Sequence, residues 1–347
     1  MKHFSEYVSL GHPDKIADYI SEYLLDRYIE KDPMTRYAVE VQIKDNHVML
    51  GGEVTSRHTF DYDEITQFVR QAVNDIGYTK VYQGTWGEWN TICGDSLDVD
   101  ILIRQQSKEI AQGLTGWGDQ GIFFGYANNC PETCQMGYDH WLAKEICHEL
   151  FVMKFGGLDI KTQVIMDGSK VEKVYIAIPL LNDSDRKNIE EYVRHRFSLS
   201  NGTLVIINGT GIYIQHSSIA DCGTTGRKLA VDFYGGYCKI GGGSPWTKDA
   251  SKADLTLNLF ARDLAIRKAT EYNREVFVSL ACCIGRQTVD FSVCDNTNTI
   301  IDEGSLNIPP SDLRESYRLN KPIYASMCRW GLFGSYQQDK IWEMGLK

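Results

Sequence analysis

The run Gly11-His12-Pro13-Asp14-Lys15 sets an imidazole, a carboxylate and an ammonium at the start of a predicted helix, where partial positive charge accumulates. That is chemistry for holding a polyphosphate. Pro13 suits the first helical position because its missing N–H would be unpaired there, and Ile16, Ile20 and Leu24 recur along one apolar stripe. Further along, Asp221, Arg227 and Lys228 surround the glycines of Asp221-Cys222-Gly223-Thr224-Thr225-Gly226-Arg227-Lys228, ahead of a strand-like 229–233. Backbone amides beside cations suit phosphate oxygens. Gly241-Gly242-Gly243-Ser244, with Lys248, Asp249, Lys252 and Asp254, reads as a second anion cradle. No Walker or dinucleotide fingerprint accompanies it.

Two acidic positions complement these cations. In a hairpin turning at Asp45-Asn46, Glu40 and Glu53 fall on one face, and Gly51-Gly52 beside them points to close approach of a ligand, such as an amine. Gly116-Trp117-Gly118-Asp119-Gln120-Gly121 presents Asp119 on a sharp turn.

The elements that must position these groups repeat three times as a helix, a hairpin, a second helix and a further strand, roughly 110 to 125 residues apart. In the first copy, Tyr37, Val39, Val41 and Ile43 alternate before the return strand, and a helix from Asp61 ends at Gly77. The second runs from a helix near Tyr138 and the third from a helix near Lys252. The expected fold is α+β, with three similar domains (1–104, 112–219 and 220–347) in a pseudo-threefold arrangement, each an antiparallel sheet with helices on one face.

The chain has 347 residues, 43% hydrophobic and 24% charged, which suits a globular protein with sizeable cores. A net charge of −10 argues against nucleic-acid binding, so a phosphate ligand must be met locally, by Lys15, Lys161, Arg227, Lys228, Lys248 and Lys252. There is no apolar span for a membrane and no secretory leader, so the expected location is cytoplasmic. Ten scattered cysteines read as reduced thiols; Cys130 and Cys134 with His140, Cys147 and His148 match no strong zinc spacing.

In order, GHPDKIAD at Gly11, GGEVTS at Gly51, GWGDQGIFFGYA at Gly116, DCGTTGRKLAVDFYGG at Asp221, GGG with KDASKAD at Gly241 and KPIYAS at Lys321 resemble the methionine adenosyltransferase (S-adenosylmethionine synthetase) family over nearly the whole length. The resemblance implies attack of methionine sulfur on ribose C5′ of ATP, then cleavage of the released tripolyphosphate to pyrophosphate and phosphate. By that match His12 contacts the polyphosphate near the breaking bond, Lys161 bridges phosphates, and Arg227, Lys228 and Lys248 stabilise the leaving group. Asp159, Tyr213, Asp221 and Ser244 are further ATP contacts, with Asp119 on the ribose or sulfur side. Glu53, Gln106, Asp221 and Lys252 surround methionine; Asp14 and Asp254 hold Mg2+, and Glu40 holds K+. The resemblance also implies a homodimer or dimer of dimers with sites between subunits.

Some positions depart from the family's pattern. Leu10 replaces an acidic residue, and Ile212-Tyr213 followed by His216-Ser217-Ser218 stands where the family has Arg-Phe and then Gly-Gly-Pro. Ser244-Pro245-Trp246-Thr247 replaces Ala-Phe-Ser-Gly, the segment between Gln106 and Gly116 is shorter, and Trp330-Gly331-Leu332-Phe333 lacks a histidine. These departures gather on the base side, which keeps an altered nucleotide preference, or a nucleotide-binding regulatory role, as alternatives.

Overall fold

In the computed structural model, which describes residues 2–105, 116–335 and 340–345, three four-stranded sheets each combine a hairpin with a strand from a different part of the chain. The hairpin Arg36–Lys44/His47–Thr55 is flanked by Asp98–Arg104 and by the two-residue strand Gly223–Thr224. Lys161–Asp167/Lys170–Ala177 is flanked by Leu204–Ile207 and Lys2–Val8. Val276–Cys282/Thr288–Asp295 is flanked by Ile300–Asn307 and Gly121–Ala127.

The exchange is cyclic. The strand before helix Pro13–Lys31 joins the hairpin that follows helix Tyr138–Val152; the strand before Tyr138–Val152 joins the hairpin after Ala253–Tyr272; and Gly223–Thr224, before Ala253–Tyr272, returns to the first hairpin. An α+β fold therefore stands, but the sheets are not all antiparallel. His47–Thr55 pairs parallel with Asp98–Arg104, and Lys170–Ala177 pairs parallel with Leu204–Ile207. In both cases a helix, Tyr62–Ile76 or Asp185–Arg196, intervenes and supplies the crossover that parallel pairing needs. Ile300–Asn307 follows its partner after a tight turn and is antiparallel.

Local signals act where expected. Lys44 and His47 close a two-residue loop with Asp45 at φ 52°, and Tyr37, Val39, Val41 and Ile43 all face the core. Asp61 caps its helix through a reciprocal bond pair with Glu64, and Gly77 ends it at φ 123°. Helix Pro13–Lys31 differs from the simple amphipathic expectation. Ile16, Ile20 and Leu24 are buried, but so are Asp14, Lys15, Asp18, Glu22 and Asp26, because the helix is packed by its own sheet, by helices Tyr62–Ile76 and Tyr324–Cys328, and by strand Gly223–Thr224. Residues 229–232 form a short helix rather than a strand. The ten cysteines are free thiols, and among the described residues no helix is long and apolar enough to cross a membrane.

Candidate functional site

Strand Lys2–Val8 runs against Lys161–Asp167 with Val8 opposite Lys161, then enters the buried Ser9. The Ser9 hydroxyl donates to the Leu158 carbonyl and accepts the Ile160 N–H at 2.9 Å, while Ser9 N–H donates to Ile160 O at 2.9 Å. These bonds stitch segment 158–161 to the start of helix Pro13–Lys31. Lys161 is thereby brought near His12, with Asp159 close to Lys161.

His12 is the cap of that helix: the Asp14 amide donates to its Nδ1 at 3.1 Å. A nitrogen that accepts carries no proton, so the neutral ring presents N–H at Nε2. Burial, with Lys161 and Lys228 nearby, pushes the imidazole down to about 2 and keeps it uncharged. Lys161 is exposed. Asp159 is buried, accepts Ser217 N–H at 3.1 Å on Oδ2 and has no hydrogen-bond partner on Oδ1 among the described residues. Burial raises its carboxyl to about 6, against the pull of Lys161.

The 221–228 loop lies across the same helix end. A Cβ on Gly223 would stand 2.1 Å from the Pro13 carbonyl oxygen, so only glycine admits this approach. Thr224 N–H donates to Asp14 Oδ1 at 2.9 Å, Gly226 N–H donates to Asp18 Oδ1 at 2.8 Å, and Lys228 pairs with Asp14 Oδ2. Arg227 Nε lies 3.7 Å from Asp14 Oδ1, with the side chain 55% exposed and its other donors available. Asp221 is close enough to bear on both His12 and Asp159.

Lys15 does not join this cluster. Its ammonium turns inward to Asp232 at 2.7 and 2.9 Å and to Asp18 at 3.1 Å, over the Trp246 ring at 4.5 Å. Burial opposes its charge, but Asp232 and Asp18 outweigh burial and raise its affinity for the proton. The helix start therefore supplies His12 and Asp14 to a ligand, while the ammonium ties the core together.

A second group meets the first at the 221–228 loop. Thr225 Oγ1, one residue from the Asp14 contact, donates to Glu40 Oε2, and Thr247 Oγ1 donates to Oε1 at 3.1 Å. Glu40 lies opposite Gly51 and Ala38 opposite Glu53, so the two glutamates share a face as diagonal neighbours. Lys248 bridges to Ala38 and pairs with Asp254 Oδ2. Gly243 packs on Asp254, where a Cβ would meet Oδ1 at 1.9 Å, and Gly241 packs on the Ile122 carbonyl, beside the Asp119 turn. Ser244 packs on Gly226, and Lys252 caps helix Ala253–Tyr272. Gln106 lies outside the described residues.

The divergent positions have structural work. Trp246 is buried and donates to Asp232 at 2.8 Å. Thr247 holds φ 73° and Ser217 φ 60°, both in place of family glycines; Thr247 N–H donates to the buried Glu22 at 2.6 Å. His216 is buried among Tyr78, Tyr82 and Trp86. Tyr213 is partly buried, its phenol pushed up by burial and by Asp159. Asp18, Glu22, Asp232 and Tyr82 were not singled out from sequence, and His216 only as a departure from the family's pattern. Asp18 closes the GHPDKIAD run and Asp232 the KLAVD run, the only local signals for any of them.

Among the described residues no three His, Cys, Asp or Glu side chains gather in metal-binding range. Asp14 and Asp254 are instead separate carboxylates, each beside lysine, and Glu40 sits with two hydroxyl oxygens.

Family models match two parts of the chain: the S-adenosylmethionine synthetase N-terminal domain over residues 1–108 and the C-terminal domain over residues 216–344. The S-adenosylmethionine synthase of Mycoplasma capricolum is 31% identical over 98% of this chain and 93% of its own length. That of Myxococcus xanthus is 32% identical over 98% of this chain and 91% of its own. A solved structure described as an unusual S-adenosylmethionine synthetase from Campylobacter jejuni superposes with a TM-score of 0.88 at 30% identity, covering 99% of this chain and 96% of the other.

Proposed function

Because the chain belongs to the S-adenosylmethionine synthetase family, we propose that it makes S-adenosylmethionine from ATP and L-methionine and then hydrolyses the tripolyphosphate. The methionine sulfur forms a bond to ribose C5′ as the C5′–O bond breaks, and triphosphate leaves with the electron pair. Water then divides it into pyrophosphate and phosphate. The observation that carries this reading is a neutral His12 whose Nε2–H has no hydrogen-bond partner among the described residues, set near Lys161 and Lys228, with Arg227 beside Asp14. Such a group donates to the oxygen that gathers charge while the cations hold the rest of the leaving group. Asp159, with its open Oδ1, and Tyr213 are placed for the nucleoside; Ser244, Asp221 and Lys248 for the remaining nucleotide contacts; Glu53 for the methionine amine; and Lys252 for its carboxylate. Asp119 belongs on the ribose or sulfur side.

Asp14 and Asp254 stand apart, each beside a lysine, so each would hold a Mg2+ ion through one carboxylate, with phosphate oxygens and water completing the shell. When bound, it would neutralise phosphate charge. Glu40 with the Thr225 and Thr247 hydroxyls forms an all-oxygen set for K+. The His12 and Glu40 groups meet along one loop of one chain, and we propose that two copies form a homodimer, or a dimer of dimers, completing each site between subunits. The cyclic strand exchange supports a pseudo-threefold relation among the three units, and the cytosol suits the reduced thiols.

Incubation with ATP, methionine, Mg2+ and K+ should yield the sulfonium product together with pyrophosphate and phosphate. Lys161→Met should lower the rate about a hundredfold or more. Absence of the sulfonium with every nucleoside triphosphate offered would reject the reading. A second outcome, preference for another base, is favoured by Ile212, Tyr213 and the His216 anchor.

A further inference from the structure

Away from the His12 cluster lies a cavity of about 340 Å³ lined by Arg36, Arg314, Ser251, Ser311, Gln287 and the backbone around Gly116–Gly118. Its size is that of a small-metabolite site. Among the described residues no carboxylate lines it, although the chain carries a net charge of −10. Asp312 and Glu315, on the same short helix as Arg314, are not among the lining residues. Neither Arg36 nor Arg314 has an ion-pair partner among the described residues, whereas most of the chain's other arginines are paired. The Ser251 hydroxyl is buried without a hydrogen-bond partner among the described residues. Among the described residues, two guanidinium forks without ion-pair partners and the unpartnered Ser251 hydroxyl make this cavity a donor-rich surface suited to an anionic acceptor.

We propose that this cavity is a second oxyanion site, distinct from the His12 cluster, that takes a phosphate-class ligand. Its walls are coupled to the candidate catalytic segment through Asp249. That buried carboxylate accepts Tyr37 N–H at 2.8 Å, next to Arg36, and Ser251 N–H at 2.8 Å, between Lys248 and Lys252. An anion drawing Arg36 and Ser251 together therefore acts on the stretch that carries both lysines. The site stands on its lining alone and does not depend on the reaction proposed above.

The test is calorimetric titration of inorganic phosphate and, separately, of pyrophosphate into the full chain, into Lys161→Met, and into Arg36→Gln/Arg314→Gln. Both arginines are at least partly exposed, so the double variant should keep the wild-type melting temperature. Saturable binding should persist in Lys161→Met, and the binding component that Lys161→Met leaves intact should weaken at least tenfold in the double variant, whose initial rate without added product stays within twofold of wild type. The two titrants separate a monophosphate site from a diphosphate site. Equal binding by wild type and double variant, or complete loss in Lys161→Met, would overturn the proposal. The single variant Arg314→Gln, reading intermediate affinity, guards against misfolding of the double one.

Discussion

Lys15 and Asp232, 217 residues apart, form a buried ion pair in which one ammonium reaches both carboxylate oxygens, at 2.7 and 2.9 Å. The pair joins the first turn of helix Pro13–Lys31 to the short helix after the 221–228 loop, so the loop that meets Asp14 is held from beneath. Removing one partner strands a buried charge, which typically costs about 3–5 kcal/mol. Lys15→Met should therefore lower the urea midpoint steeply, and Lys15→Met/Asp232→Asn should recover part of the loss. An unchanged midpoint in the single variant would show that Asp232 finds another partner.

His12 should stay neutral and keep one tautomer throughout the working range. Its Nδ1 accepts from the Asp14 amide, and burial with two nearby ammonium groups holds the ring down to about 2. Nitrogen-15 NMR of labelled histidine should show an unprotonated Nδ1 and a protonated Nε2, unchanged between pH 5.5 and 8. His12→Asn should reduce sulfonium formation about a hundredfold. A ring that titrates near 6.5 would mean that the helix end is open to water.

What was legible in the sequence is what local chemistry decides. Pro13 beside a polar cap, the helix running from Asp61 to Gly77, the Asp45-Asn46 turn and the alternation Tyr37 to Ile43 rest on signals within a few residues, and each element formed there. The shared face of Glu40 and Glu53 followed from the same two-residue period. Lys15 was misread because its partner is distant in sequence, and an ammonium at a helix start looks the same whether it faces ligand or core. The parallel strands were hidden because pairing across a helix leaves no periodic trace, and Gly223–Thr224 is too short to show one. Trp246 shows the same limit: nothing beside it in its Gly-rich loop points to the distant Asp232 acceptor that holds it in the core.

His216 and Tyr82 form an anchor behind Asp159 and Tyr213, the side of the site proposed for the nucleoside. A carbonyl only accepts, so His216 Nδ1 donates to Ile214 O at 2.6 Å; Nε2 then accepts the Tyr82 hydroxyl at 2.7 Å, and that oxygen accepts Leu158 N–H at 2.9 Å. The next residue, Ser217, bonds Asp159, so the anchor fixes both Tyr213 and the Asp159 carboxylate. Tyr82→Phe leaves two buried groups unsatisfied, and one such loss is about tenfold in an equilibrium. KM for ATP should rise about tenfold with kcat changed little, and the difference between ATP and GTP in KM should shrink. A fall in kcat at constant KM would place the pair with the reacting atoms instead.

Acid sensitivity should trace in part to His140, which is not among the candidate site residues. The ring is fully buried, its Nδ1 has no hydrogen-bond partner among the described residues, and burial followed by the Lys144 charge lowers it to about 3. At pH 8 it is neutral whether the chain is folded or not. Below about 6.5 the unfolded chain takes up a proton that the folded chain refuses until about pH 3, so stability is complete above the first value and drains as pH falls toward the second. Between pH 8 and pH 5 this one group should remove about 2 kcal/mol. His140→Leu, compared with wild type by urea unfolding at both pH values, should lose correspondingly less stability on acidification, whatever its absolute stability. Parallel losses in the two proteins would show that water already reaches the ring in the folded state.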